Sequence, residues 1–263
     1  MQITYIHHSC FSVESEDTVL LFDYFKGTLP QFDSKKHLFV FASHKHQDHF
    51  DPVIFDLVKT YPRITFLLSD DIRMDEDYMN RKQIPEAARH HMIQIGKNET
   101  LTLPVNSKNT SMNDLGTSTE KTLSLKVETL ASTDEGVAFI ITANNMITGS
   151  NKVIYHAGDL NWWSWDGETQ DEYTEMTNNF QREMAKIKNR EFDIAFVPLD
   201  PRQEDRFWWG FDYFMKTART KLVFPMHFWK DYSIITKLKN MERTREYFDR
   251  VVDIKEEGQI FNV

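Results

Sequence analysis

The sequence predicts a layered fold in which β-strands and α-helices pack on each other. Three observations predict it. Short apolar runs of strand length end in polar residues, a segment near residue 180 has helical periodicity, and the first seventy residues run strand, loop, helix, strand. With 263 residues, 20 Phe, 9 Tyr and 6 Trp, the chain can bury a sizeable core, and disorder of the whole chain is excluded. No stretch approaches the roughly 18 consecutive apolar residues of a membrane span.

The elements follow in order. Ile3–Glu14 reads as strand, and acidic turn residues separate it from a second strand, TVLLFD (Thr18–Asp23). HLFVFASH (His37–His44) is a short apolar run, as expected of a strand buried on both faces. Asp51–Pro62 reads as helix, with an acidic N-cap and Pro at the first helical position. Arg63–Asp70 returns to strand, and Asp70–Met92 is helical or irregular. Strands are expected at Asn98–Leu103, Leu123–Leu130 and Gly136–Thr142. The Ser/Thr/Asn-rich stretch between them, near 104–122, reads as a surface loop. KVIYHAGD is a strand running into a polar turn. Gln170–Arg190 is a helix, since Tyr173, Met176, Phe180, Met184 and Ile187 recur at spacings of three and four. Phe192–Asp200 and Lys221–Phe228 read as strands, Arg206–Arg219 and Asp231–Arg250 as helices, and a short strand closes the chain. No repeat or boundary divides residues 1–263, so one domain is expected.

Charge and cysteine narrow the function. Lys and Arg number 31 against 40 Asp and Glu, a net charge of −9. A phosphate-backbone binder carries a basic surplus, so nucleic acid is not the expected partner. The single cysteine, Cys10, excludes a disulfide framework. The first residues lack the basic start and long apolar run of a signal peptide, so cytoplasm is the expected compartment and no membrane partner is expected. There is no Gly-rich phosphate loop and no G-x-S-x-G nucleophile elbow.

One cluster dominates the chemistry. Ser43-His44-Lys45-His46-Gln47-Asp48-His49 places three histidines and an aspartate just past a buried strand. On extended backbone His44 and His46 point the same way, and a turn brings Asp48 and His49 in from another side. Imidazole and carboxylate together suit zinc, iron or manganese.

HKHQDH resembles the HxHxDH signature of the metallo-β-lactamase superfamily. YHAGDLN offers the Gly-Asp pair of that family at Gly158-Asp159, and FPMHFW offers its late histidine at His227. The opening, YIHHSCFSVE followed by LLFD, is similar to the branch of ascorbate-6-phosphate lactonase-like hydrolases. The resemblance implies an α+β fold, a four-layer αββα sandwich with a metal site at one edge of two facing sheets. It also implies roles. His44 and His46 would hold a first ion, Asp48, His49 and His227 a second, and Asp159 would bridge them. A hydroxide held there is a strong nucleophile at neutral pH, and Asp48 would orient it. Two divalent ions are implied, with zinc ahead of manganese or iron.

The pattern departs from the family at one ligand. A third histidine for the first ion is expected before the strand leading to Gly158, and STDEGVAF stands there. Asp134 is the best substitute, with Thr133 and Ser132 behind it. His156 lies within the next strand, where it either supports the site or ligates. His7 and His8 face opposite sides of a strand, so one reaches the site edge; His7 joins Asp48 as a catalytic candidate. Asp23 and, less strongly, Asp200 sit at strand ends where they can fix a ligand histidine. Aromatic clusters follow three strand ends, and Trp162, Trp163 and Trp208, with Arg202, are candidates for the wall of a substrate pocket. Arg202 and Arg206 suit a carboxylate or phosphate on the substrate.

Two functions compete. The first is a metal-dependent hydrolase of a small lactone, amide or phosphoester. The second is a catalytically inactive metal- or ligand-binding protein on the same fold, which the missing histidine favours. Redox chemistry at two irons ranks last, because no flavin domain accompanies it. An acidic surface with aromatics fits a homodimer without requiring one.

Overall fold

The structure, a computed structural model, describes residues 1–105, 124–147 and 150–263. The Ser/Thr/Asn-rich stretch near 104–122 lies almost wholly outside the described residues.

Thirteen strands are described: β1 (Gln2–His7), β2 (Cys10–Glu14), β3 (Thr18–Phe22), β4 (His37–Ala42), β5 (Ile64–Ser69), β6 (Met92–Ile95), β7 (Thr100–Pro104), β8 (Ser124–Ala131), β9 (Val137–Ile147), β10 (Ser150–His156), β11 (Glu191–Pro198), β12 (Arg219–Met226) and β13 (Ile260–Asn262). They form two mixed sheets. The first runs β13-β1-β2-β3-β4-β5-β6 and the second β12-β11-β10-β9-β8-β7. Strands β3 to β6 are mutually parallel, as are β10 to β12, and the remaining pairs are antiparallel.

Strict alternation inside apolar runs explains the layers. On β3 and β4, Leu20, Phe22, Phe39 and Phe41 face the second sheet. Val19, Leu21, Leu38, Val40 and Ala42 face outward, onto Ile54, Phe55, Ile72 and Ala88. Between the sheets the ring of Phe196 lies 4.5 Å from that of Phe11, and Phe139 lies 5.2 Å from Phe41. The outer layer on the first sheet holds a 3-10 helix (Pro52–Lys59) and the short helices α1 (Glu76–Arg81) and α2 (Glu86–Arg89). The outer layer on the second holds α3 (Gln170–Lys186), α4 (Trp209–Thr217) and α5 (Ser233–Lys239), and α3 and α4 bury Phe180, Met184, Phe211 and Phe214 in the same core as the inter-sheet rings. The architecture is the expected αββα sandwich.

Three elements differ from expectation. The run Ile3–Glu14 is a hairpin, because the chain reverses at His8-Ser9 with His8 at φ 52°. The helix expected over Asp51–Pro62 is a 3-10 helix, begun as expected by Asp51, whose carboxylate accepts from the Val53 N–H at 2.8 Å. The long helix expected over Asp231–Arg250 stops at Lys239. There the buried Thr244 hydroxyl turns back onto the Leu238 and Met241 carbonyls, at 3.0 and 2.8 Å. Such side-chain bonds compete with helical ones, and the buried Tyr247 hydroxyl then anchors the chain by donating to Asp212 at 2.8 Å. No described helix is long and apolar enough to cross a membrane.

Candidate metal centre

Strand ends converge at one edge of the sandwich. Asp23 follows β3, Ser43 and His44 follow β4, Asp159 follows β10, Asp200 follows β11 and His227 follows β12. Ladder hydrogen bonds run to the last residues: Asp23 N–H to Phe41, Ala157 N–H to Phe196 and Leu199 N–H to Met226, at 2.8, 3.0 and 2.8 Å. The β1–β2 turn brings His8 to the same edge, where the His227 N–H donates to the His8 carbonyl at 3.4 Å. The HxHxDH segment closes on itself, since the N–H groups of His49 and Phe50 both donate to the His46 carbonyl.

Two glycines permit this approach. Gly136 has φ 68°, and a Cβ there would lie 2.0 Å from the Ser43 carbonyl oxygen. At Gly158, φ is 51° and a Cβ would lie 2.7 Å from the Ser43 Cβ. Only glycine fits both the left-handed conformation and the contact. The backbones of both segments therefore lie against Ser43 and His44.

Seven side chains form two donor groups. His44, His46 and Asp159 make the first; His8, Asp48, His49 and His227 make the second. Within each group the ligand atoms lie within 4.8 Å of one another. In the first, His44 Nε2 is 3.1 Å from His46 Nδ1 and 3.5 Å from Asp159 Oδ2. In the second, Asp48 Oδ2 is 3.5 Å from His8 Nε2 and 3.9 Å from His227 Nε2. Asp159 joins the groups: its Oδ1 lies 3.2 Å from His49 Nε2 and 3.5 Å from His227 Nε2.

Buried partners behind the ring set fix these donors. His44 Nδ1 lies 3.0 Å from Ser43 Oγ, which itself donates to Asp23. His49 Nδ1 donates to Asp23 Oδ2 at 2.7 Å, and His227 Nδ1 to Asp200 Oδ2 at 2.9 Å. With Nδ1 engaged in this way, Nε2 is the ring nitrogen aimed at the centre. His8 Nε2, His49 Nε2, His227 Nε2 and Asp159 Oδ1 are buried with no hydrogen-bond partner among the described residues. Buried polar atoms are rarely left so, and four together around one point fit divalent cations.

Electrostatics agree for both carboxylates and for His8 and His44. Burial pushes the Asp159 carboxyl up, but His49, His227 and His44 outweigh it and hold it well below the usual range. Asp48 behaves alike, with burial outweighed by His8, His49 and His227. Burial lowers His8 and His44 to about 4 each, so both are neutral donors at pH 7. His49 is the exception: burial lowers its pKa, but the carboxylates of Asp159 and Asp23 overcome that and raise it well above the usual value, so the ion-free ring favours its protonated form and a bound ion takes the place of the Nε2 proton.

The remaining candidates fall into place around the centre. Asp134 Oδ2 is 3.8 Å from His46 Nδ1; the residue lines the pocket but lies outside both donor groups. Burial and the Asp159 charge raise its pKa. Thr133 donates its hydroxyl to the Asn161 carbonyl at 2.6 Å, and Ser132 Oγ accepts from the Asp134 N–H at 3.1 Å. His156 is a support: its Nδ1 accepts from the Gly158 N–H at 3.2 Å and its Nε2 donates to the Ser9 carbonyl at 3.0 Å. Cys10 is buried, and burial pushes its thiol up, so it is no nucleophile.

Four of the expected site residues lie elsewhere. His7 is not at the centre: it ends β1 and pairs through Nδ1 with Glu257 Oε1 at 2.5 Å, while the turn carries His8 inward. The signal in the sequence was the polar triplet His7-His8-Ser9 inside an apolar run. Trp162 is not pocket wall, because its ring packs on Phe180 and Tyr213 and its indole donates to Thr177 at 3.0 Å. Trp208 lies under the Arg243 guanidinium, 3.5 Å from its ring centroid. Arg206 is spent on the Trp165 carbonyl at 2.7 Å.

The pocket itself is about 300 Å³, lined by His46, Asp48, Thr133, Asp134, Asp159, Trp163, Trp165, Met176, Arg202 and His227. The rings of Trp163 and Trp165 stack with centroids 5.7 Å apart. Arg202 is held by Asp200, through Nε at 3.0 and 2.9 Å and Nη2 at 2.5 Å, and lies over Trp229 and Trp165 at 4.6 and 5.6 Å.

The fold and the site define an αββα protein with a candidate metal centre at the strand ends. Residues 2–163 match the family model described as Beta-lactamase superfamily domain, and the chain belongs to that family. The match includes every donor except His227. No curated protein matches the sequence. Among solved structures, a candidate metal-dependent hydrolase from Parabacteroides distasonis aligns over 96% of this chain and 92% of its own, with TM-score 0.52 and 16% identity. Another from Veillonella parvula aligns over 100% and 99%, with TM-score 0.52 and 11% identity. At these identities the likeness is one of fold.

Proposed function

We propose that the protein is a metal-dependent hydrolase with a centre for two divalent ions, acting on a small anionic lactone, amide or phosphoester. The observation that supports this most is the set of four buried atoms, on His8, His49, His227 and Asp159, that have no hydrogen-bond partner among the described residues and stand beside an open pocket. The donors are rich in imidazole, which suits zinc ahead of manganese or iron. When bound, the ions lower the pKa of water and polarise a carbonyl or phosphoryl oxygen.

The chain's own residues supply the rest. Asp159 presents one oxygen to each donor group and sets their separation. Asp48, kept ionised, lines the pocket and orients the attacking water through its carboxylate. Trp163 and Trp165 wall one side and exclude solvent. Arg202 supplies a cation at the rim for an anionic group on the substrate. The volume is at the small end for ligand pockets, which run from about 300 Å³. With the net charge of −9, this favours a free small molecule over nucleic acid. The opening motif around His7 and His8 supports a lactonase-like substrate within this range.

The test strips the protein with a chelator, reloads it with zinc, manganese or iron(II), and assays lactones, amides and phosphodiesters. Turnover by the reloaded protein, lost in Asp159→Ala, is expected. Full ion loading without turnover of any substrate class would instead mark an inert metal-binding protein.

A further inference from the structure

We propose that His8 is a fourth protein ligand of the second donor group, so that this group forms a closed, tight site, while His44, His46 and Asp159 form the open, exchangeable site where substrate meets the metal. The inference rests on the proposed metal-dependent function and adds to it a division of labour between the two sites.

Four observations carry it. His8 Nε2 is buried and has no hydrogen-bond partner among the described residues, as are His49 Nε2 and His227 Nε2. It lies 3.5 Å from Asp48 Oδ2. Ligands held at about 2.0–2.1 Å in a tetrahedron lie roughly 3.3–3.4 Å apart, so this spacing suits two ligands of one ion. The ring is also fixed in place, between those of His227 and Trp229, with centroids 4.1 and 4.4 Å away. Finally, the backbone is held in an uncommon conformation for a non-glycine residue. His8 has φ 52° and His227 φ 65°. The His8 N–H donates to the Tyr5 hydroxyl at 3.1 Å, and its carbonyl accepts from His227. A turn built at that cost aims an imidazole at the centre and, among the described residues, gives its Nε2 no hydrogen bond.

The consequence follows from ligand count. Four protein donors, with the shared Asp159 oxygen beside them, leave the second group no open position, whereas catalytic sites keep a position for water or substrate behind three. The first group offers three donors, and its His46 side chain is 41% exposed at the pocket. Asp134 stands beside it, near enough to contact what binds there.

The test is zinc titration of the stripped protein against a chromophoric chelator. Two classes of site are expected. His8→Ala should weaken the tight class by about tenfold or more, since even partners behind a ligand are worth 10–100-fold. His46→Ala should weaken the loose class, and His7→Ala should change neither. An unchanged tight class in a His8→Ala protein that melts like the wild type when stripped would overturn the proposal. X-ray absorption of wild-type protein at one zinc equivalent removes any dependence on that variant folding. Three imidazoles around the ion support His8 as a ligand, and two overturn it. Failure of the wild type to bind zinc in either class would instead count against the metal-dependent reading itself.

Discussion

Asp23→Asn is the perturbation whose consequences the structure specifies most fully. Asp23 is completely buried and accepts from the Ser43 N–H and hydroxyl and from His49 Nδ1, all at 2.7 Å. Asparagine keeps the shape and replaces one oxygen by a donor. If the amide nitrogen faces His49, two N–H groups oppose each other. The flipped amide moves the same conflict to the Ser43 N–H. The Ser43 hydroxyl can turn round and accept, so one charged hydrogen bond is lost, about 1.5–3 kcal/mol of stability in the ion-free protein. Without the Asp23 charge the His49 pKa falls, and the one remaining ring proton is driven to Nε2, which is the atom aimed at the centre. Ion affinity at the second donor group should therefore fall about 10–100-fold, or roughly 1.4–2.7 kcal/mol. Chelator competition measures the affinity, and denaturant unfolding of stripped protein measures the stability. An Asp23→Asn protein that binds zinc as tightly as the wild type would refute the view that Asp23 sets the His49 tautomer.

Other outcomes follow from the same geometry. Gly136→Ala forces a Cβ into the Ser43 carbonyl at a left-handed φ, and should destabilise by at least about 1–2 kcal/mol in denaturant unfolding. Arg202→Met should raise KM for anionic substrates several-fold and leave KM for neutral ones unchanged, as steady-state kinetics would show. Trp162→Ala should destabilise by about 3 kcal/mol or less, the low end for a truncated tryptophan, while kcat/KM per folded molecule stays near wild type, because the half-buried ring packs against the core and not in the pocket. His37 is lowered to about 4, by burial first and then by Arg63 and His91. Its folded pKa lies below the unfolded value, so its contribution is present above about pH 6.5 and lost as pH falls toward 4. His37→Gln should flatten the decline of stability across that window in melts of stripped protein.

Much of this was legible in the sequence, for physical reasons. Buried parallel strands read as continuous apolar runs, so β3, β4, β5 and β11 were plain. The donors that follow strand ends, His44, His46, Asp48, His49, Asp159 and His227, stand in short polar segments after such runs. Asp23 and Asp200 were visible as partners for the same reason. His8 was legible only as one of a pair, since the hairpin turn at His8-Ser9 contains no Gly, Pro, Asn or Asp, and period two along an unbroken strand puts His7 and His8 on opposite faces without telling which face meets the centre. The tryptophans failed differently. Proximity in sequence to Asp159 and Asp200 is shared by Trp162, Trp163 and Trp208, and only packing separates the pocket wall from the core. The end of α5 depended on where Thr244 and Tyr247 are buried, a tertiary fact that helical spacing does not encode.

The proposed hydrolysis depends on a centre for two ions. The most direct measurement is metal content by elemental mass spectrometry, on protein purified without added metal and again after reloading with zinc, manganese or iron(II). About two ions per chain are expected, with loss in Asp159→Ala. Protein that holds no metal as purified and takes up none of the three on reloading would contradict the two-ion centre.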